Sequence, residues 1–260
     1  MILTDQPPTT RASTPAPAPN HTRPQSSNSA PRLLAVIEVV LCSGFPTQLV
    51  LTVLLGTLGL AALDATGRLS LEYVVLLSLA DAALVLGLIF CFLWTHGEAP
   101  REVFLGARSF RQEFTLGLVL VPLLVIAAVA SLGILRLLAP ELSNVPENPL
   151  AALISSPASA ALFAVVAIVA GGLREELQRA FILRRFEQHL GGGWLGLVVF
   201  SVVFGLGHQI QGWDAAFVTA ALGAVWGAIY LLRRSALAPI VSHAGFNLAE
   251  ILLALAATSS

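Results

Sequence analysis

The sequence predicts an all-α polytopic membrane protein with seven transmembrane helices, or eight if the first apolar run holds two. Three observations carry this expectation. The 260 residues are 56% hydrophobic and only 11% charged, where a soluble domain carries roughly 25% charged residues, and mean hydropathy is +0.83. Apolar runs long enough to cross a hydrocarbon core about 30 Å thick recur along the chain. The arginines of the connecting loops also alternate between the ends of those runs in a way that fits one topology.

Residues 1–31 are rich in Pro, Ser, Thr and Asn, as in Thr14-Pro15-Ala16-Pro17-Ala18-Pro19. Such a segment buries too little apolar surface to order itself and lacks the apolar core of a signal peptide, so it reads as a disordered tail. Residues 32–149 read as the amino-terminal transmembrane helices. The apolar runs fall at 33–63, 73–95, 114–138, 158–183, 194–212, 214–232 and 236–257. Gly44-Phe45-Pro46 predicts a kink or break in the first. Arg101, Arg108 and Arg111 precede the third run, Arg184 and Arg185 end the fourth, and Arg233 and Arg234 end the sixth. The loop at 139–157 carries Glu141 and Glu147 but no basic residue, and Arg136 is the mild exception. The positive-inside rule then puts the amino terminus in the cytoplasm and the carboxyl terminus outside. The expected location is a bilayer, on the family grounds given below a bacterial inner (plasma) membrane.

A net charge of −1 gives no case for a nucleic-acid partner, and all fourteen basic residues are arginine. The two cysteines, Cys42 and Cys91, stand alone in apolar runs, without metal-knuckle spacing, and read as small buried hydrophobes.

Charge inside an apolar run is costly unless it is paired or faces a cavity. Gly171-Gly172-Leu173-Arg174-Glu175-Glu176-Leu177-Gln178-Arg179 places two adjacent carboxylates and two guanidiniums in the fourth run. Glu38, Asp81 and Glu250 are each isolated in other runs. They read as carboxyls bonded to a neighbouring helix or, for Glu250, as reaching the interface. The remaining polar residues share a depth. Counted from the inner edge at ~1.5 Å per helical residue, Glu175 lies about 15 Å deep, His208 about 21 Å, His243 about 12 Å and Asn247 about 18 Å. His243 and Asn247 are i and i+4 on one helix face, and Glu175 and Arg179 share the same spacing, which lets the guanidinium compensate a carboxylate. Gly205 and Gly207 leave room for a neighbouring helix. The Gly191-Gly192-Gly193 turn favours an antiparallel hairpin that brings Glu175 alongside His208.

A carboxylate and an imidazole around one buried water form a hydrolytic arrangement. Glu175 is the candidate base, His208 the group that holds the water or protonates the leaving amine, and His243 and Asn247 the donors to a developing oxyanion. Glu175, His208 and His243 are also a plausible zinc set, so a divalent metal such as zinc is an alternative, although no compact zinc motif is present. Ser201 and Ser242 have no His and Asp to work with.

Glu175-Glu176 followed by an arginine, Phe204-Gly205-Leu206-Gly207-His208, and His243-Ala244-Gly245-Phe246-Asn247 together resemble the CPBP family. These are the CAAX-protease and bacteriocin-processing intramembrane endopeptidases, also called the ABI family, and the likeness is to the type II CAAX prenyl endopeptidase kind. The three stretches are similar to its Glu-Glu-x-x-x-Arg, Phe-x-x-x-His and His-x-x-x-Asn signatures, in order, over roughly residues 150–257. The resemblance implies a catalytic helical core at 150–260, often part of an eight-helix fold, acting on peptide or protein substrates in the bilayer. Eukaryotic members remove the last three residues of prenylated CAAX proteins, and bacterial relatives are linked to bacteriocin maturation or self-immunity. By motif position Glu175 is the base, His208 its partner, and His243 with Asn247 the oxyanion side, while Glu176 and Arg179 support them. No resident cofactor is favoured.

One departure stands out. The family's arginine lies five residues after the first glutamate, where this chain has Ala180, and its arginine is Arg179. Either the segment is one residue short, or Arg174 occupies the first glutamate's place and the base is missing. Two other functions remain in view: a non-catalytic scaffold or bacteriocin-immunity protein with a degenerate site, and an ion-coupled transporter using Glu38, Asp81 and the Glu pair. The lack of an inverted repeat counts against the transporter.

Overall fold

The computed structural model describes residues 29–146 and 148–258. The expected disordered tail falls outside them except for residues 29–31, which open the first helix, and Glu147 also lies outside. Ten α-helices form among the described residues: α1 Ser29–Leu41, α2 Phe45–Thr57, α3 Leu71–Thr95, α4 Pro100–Phe104, α5 Phe110–Leu138, α6 Pro157–Val166, α7 Glu175–His189, α8 Gly193–Leu206, α9 Trp213–Arg233 and α10 Leu237–Thr258. Between α6 and α7 the chain runs as a π-helix over Ala167–Arg174. Strand-like pairing among the described residues is confined to the single bridge Leu63–Leu69.

The first apolar run breaks where Gly44-Phe45-Pro46 predicts. Gly44 has φ of 87°, a left-handed conformation that glycine adopts without strain. Pro46 sits in the first turn of α2, where its missing N–H does no harm. The two helices meet at a 41° bend. Pro122, by contrast, lies inside α5 without ending it.

Five helical spans are long and apolar enough to cross a membrane: Leu71–Thr95, Phe110–Leu138, Pro157–His189, Trp213–Arg233 and Leu237–Ala257. Counting the bent pair as one more makes six. The expected seven spans are not reproduced, because the run at 194–212 does not stay helical. It ends at Leu206, passes through a turn at Gly207-His208 and continues as a 3₁₀ turn at Gln209–Gln211. The 14 residues of α8 reach ~21 Å, short of a ~30 Å core.

At the centre, α10 packs along α5 and the π-helical stretch, and α8 packs along α9. Gly205 permits the second contact: a Cβ there would lie 2.6 Å from the Ala216 carbonyl oxygen and 2.7 Å from Ala220 Cβ. Gly207 makes no such room, since a Cβ there would meet only its own chain. The Gly191-Gly192 turn closes α7 and α8 into the expected hairpin, with φ of 99° and 107°. Core residues include Phe181, Leu183, Phe200, Phe204 and Trp226. Cys42 is buried, but Cys91 is exposed on the outer side of α3, contrary to the expectation of two buried thiols.

The loop arginines gather at one end of the bundle. Glu98 receives Arg184 and Arg185, Arg233 pairs with Glu113 at 2.6 Å, and Arg234 with Glu187 at 2.5 Å. Arg185 also bonds the buried Glu38 at 2.5 Å, and His96 meets the same carboxylate at 2.6 Å. Asp81 takes Arg174, with Thr47 and Gln48 beside it. Both isolated carboxyls thus bond neighbouring helices, as expected, and both do so through arginines distant in sequence.

Candidate active site

The π-helical stretch delivers Arg174, Glu175 and Glu176 in three different directions. Arg174 points to Asp81 and is buried beneath the Gly44 turn. Glu176 points into the protein, where it is 2% exposed and held by Arg179 and by His243 Nδ1 at 2.7 Å. Glu175 faces a cavity of about 610 Å³, and its side chain keeps 20% of its surface open.

The expected pairing of Glu175 with Arg179 is therefore corrected: Arg179 serves Glu176, at i−3 rather than i−4. Both spacings are within reach on a helix, and the fully buried carboxylate has the greater need of a counter-charge. The guanidinium is fully buried itself and lies 4.8 Å over the Phe204 ring, 5.3 Å over Phe200 and 5.7 Å over Trp226. A cation is favourable against such faces.

His243 is fixed from two sides. Because a carboxylate accepts, Nδ1 carries the proton donated to Glu176. The Trp226 indole stacks on the ring at 3.8 Å and 13°, and its own N–H is anchored on Ser242 Oγ at 3.0 Å. His243 Nε2 is then the atom left facing Glu175, at 3.8 Å from Oε2. That gap is too long for a direct hydrogen bond and suits a water bonded to both. Sequence reasoning missed Trp226, because an aromatic in a uniformly apolar helix carries no distinguishing signal.

His208 stands just past the end of α8 rather than within a spanning helix. Its Nδ1–H donates to the Phe204 carbonyl at 2.8 Å, which leaves Nε2 without that proton. Among the described residues it makes no hydrogen bond or ion pair to Glu175; the Phe204 ring lies 4.8 Å from His208 and 6.3 Å from His243. Asn247 donates one amide hydrogen to the Ala167 carbonyl at 3.1 Å and keeps its second. Gly171 is required there, since a Cβ would sit 2.5 Å from Asn247 Nδ2.

Glu175, His208, His243 and Asn247 all line the one cavity. Arg136, Asn148, Gln211 and Glu250 add polar groups to its wall, and Ile154, Phe163, Phe246 and Ile251 supply apolar surface. As for a metal, no three of His, Cys, Asp and Glu converge in a metal-holding group among the described residues. Glu175, His208 and His243 share a cavity without forming a ligand set, so they do not fit zinc as placed.

No curated protein and no solved structure matches the chain. Residues 156–249 match one family model, and that segment holds the π-helical stretch, both glutamates, both histidines and Asn247. That segment is similar to the type II CAAX prenyl endopeptidase Rce1-like family, whose model it matches.

Proposed function

We propose that the protein is an intramembrane endopeptidase that hydrolyses peptide bonds with a water activated by Glu175. One observation carries the reading: of the two adjacent carboxylates, Glu176 is locked between Arg179 and His243 while Glu175 is open to the cavity. This supports the alignment in which the segment is one residue short, because Arg174 is committed to Asp81 and Glu175 is not the arginine's partner.

In this reading a water sits between Glu175 and His243 Nε2. Glu175 takes its proton as oxygen attacks the scissile carbonyl. The Glu176–Arg179 pair holds His243 in one tautomer and orientation, as a buried carboxylate does for a catalytic histidine in other hydrolases. The second amide hydrogen of Asn247 donates to the oxyanion. His208 Nε2, accepting a proton from Glu175 or bulk water, delivers it to the leaving amine. No step is routed through a metal.

The test is cleavage of membrane peptides by protein reconstituted in vesicles. Glu175→Gln is expected to lose at least about a hundredfold in rate, the usual scale of a general base, while retaining its fold and insertion. Full activity in that variant would overturn the assignment. Loss of wild-type activity on chelation would overturn the metal-free course.

A further inference from the structure

Glu250 stands on α10 at i+7 from His243 and i+3 from Asn247, so the three share one face, and all line the cavity. Apart from Glu175, which faces His243, carboxylates elsewhere in the bundle hold an arginine: Glu38 and Glu98 hold Arg185, Asp81 holds Arg174, Glu113 holds Arg233, Glu176 holds Arg179 and Asp214 holds Arg136. Glu250 departs from this rule, with neither an ion pair nor a hydrogen bond among the described residues. Arg136, the arginine of the cavity wall, is already engaged by Asp214 at 3.0 Å. Ile251, Leu253 and Ala254, next to Glu250 along α10, add apolar surface to the same lining.

Glu250 is exposed and lines the cavity, so its carboxylate is open to a ligand that brings the opposite charge. We propose that Glu250 is a specificity subsite that receives a lysine or arginine side chain of the peptide substrate. The inference rests on the endopeptidase reading for its register. Seven helical residues separate Glu250 from His243 by ~10 Å, and an extended peptide covers about 3.3–3.6 Å per residue. The basic residue therefore falls about three positions from the cleaved bond. The substrate is an apolar segment interrupted by one cation there, and a free carboxylate at that position is repelled.

The test uses short apolar fluorescent peptides, identical except for Arg, Gln or Glu placed two to four residues to either side of the cleaved bond. Affinity is measured on vesicle-reconstituted Glu175→Gln protein, alone and combined with Glu250→Gln, Glu250→Asp or Glu250→Arg, and cleavage is measured without the Glu175 change. The Arg peptide is expected to bind best at one placement. Its advantage over Gln, on the order of tenfold, should vanish in Glu250→Gln, survive in Glu250→Asp and reverse toward the Glu peptide in Glu250→Arg. No Arg advantage in the starting protein, or one indifferent to Glu250, overturns the subsite even if cleavage depends on Glu175. If the preference follows Glu250 but nothing is cleaved, the subsite stands and the endopeptidase reading falls.

Discussion

Glu175→Gln and Glu176→Gln are expected to fail for different reasons, although the two residues are neighbours. The first removes a base from an open cavity and leaves the protein's melting temperature in detergent near that of wild type. The second strips the counter-charge from Arg179, which is fully buried, and breaking one side of a buried pair costs about 3–5 kcal/mol. Thermal unfolding of the two variants side by side separates the roles; equal destabilisation would show that Glu175 is also structural. At Gly171 a single methyl is enough to reach Asn247 Nδ2. Gly171→Ala is expected to lower kcat by about ten- to a hundredfold, the scale of a disturbed oxyanion donor, with KM little changed. That Glu175, His208, His243 and Asn247 come to one cavity was legible in the sequence, because charged and amide groups stand out in apolar runs at a common depth. Arg179's choice of Glu176 was not, since i−3 and i−4 are equally near on a helix and only burial decides between them.

Among the elements, the contacts at the arginine end join α1, the α3–α4 turn and α7. Glu98 lies there outside the spans. Burial alone would raise its carboxyl, but the bonds from Arg185, Gln188 and Arg184 outweigh it and hold the group below the usual carboxylate range. A folded value below the unfolded one, about 4.3, means the clasp stabilises the fold above that pH and is lost as pH falls through the folded value. Melting temperature in detergent is expected to drop on acidification below about pH 4, and to drop less in Glu98→Gln. An equal fall in both would remove Glu98 from the account. The clasp was only half visible in the sequence. Its arginines and acids were plain, but Arg185 and Glu38 are 147 residues apart, and no local pattern joins them.

For the whole molecule, the composition declared a helical membrane protein, and the bend at Gly44 was readable from Gly-Phe-Pro. The span count was not, because hydropathy records that 194–212 is apolar without recording that Gly207 and His208 stop the helix. The arginine end, with Arg101, Arg108, Arg184, Arg185, Arg233 and Arg234, is expected to face the cytoplasm. Reporter fusions in the Leu190–Gly192 turn and after Ala139 should report opposite sides of the membrane, and the same side would overturn this orientation. The cavity carries Arg136 and Asn148 in its wall, away from the arginine end.

The π-helical stretch before Glu175 has a consequence for helical phase. Each residue of an α-helix turns the next by about 100°, and a π segment is an α-helix holding one residue more than its turn requires. Deleting Val169 should let Ala167–Arg174 wind as ordinary helix. Every side chain upstream would then keep its heading only if everything downstream rotated by about 100°, carrying Glu175 off the cavity wall. The chain whose arginine comes one position early after the glutamates thus holds one residue in excess just before them. The bearing of Glu175 is set by that surplus residue as much as by its own place in the motif.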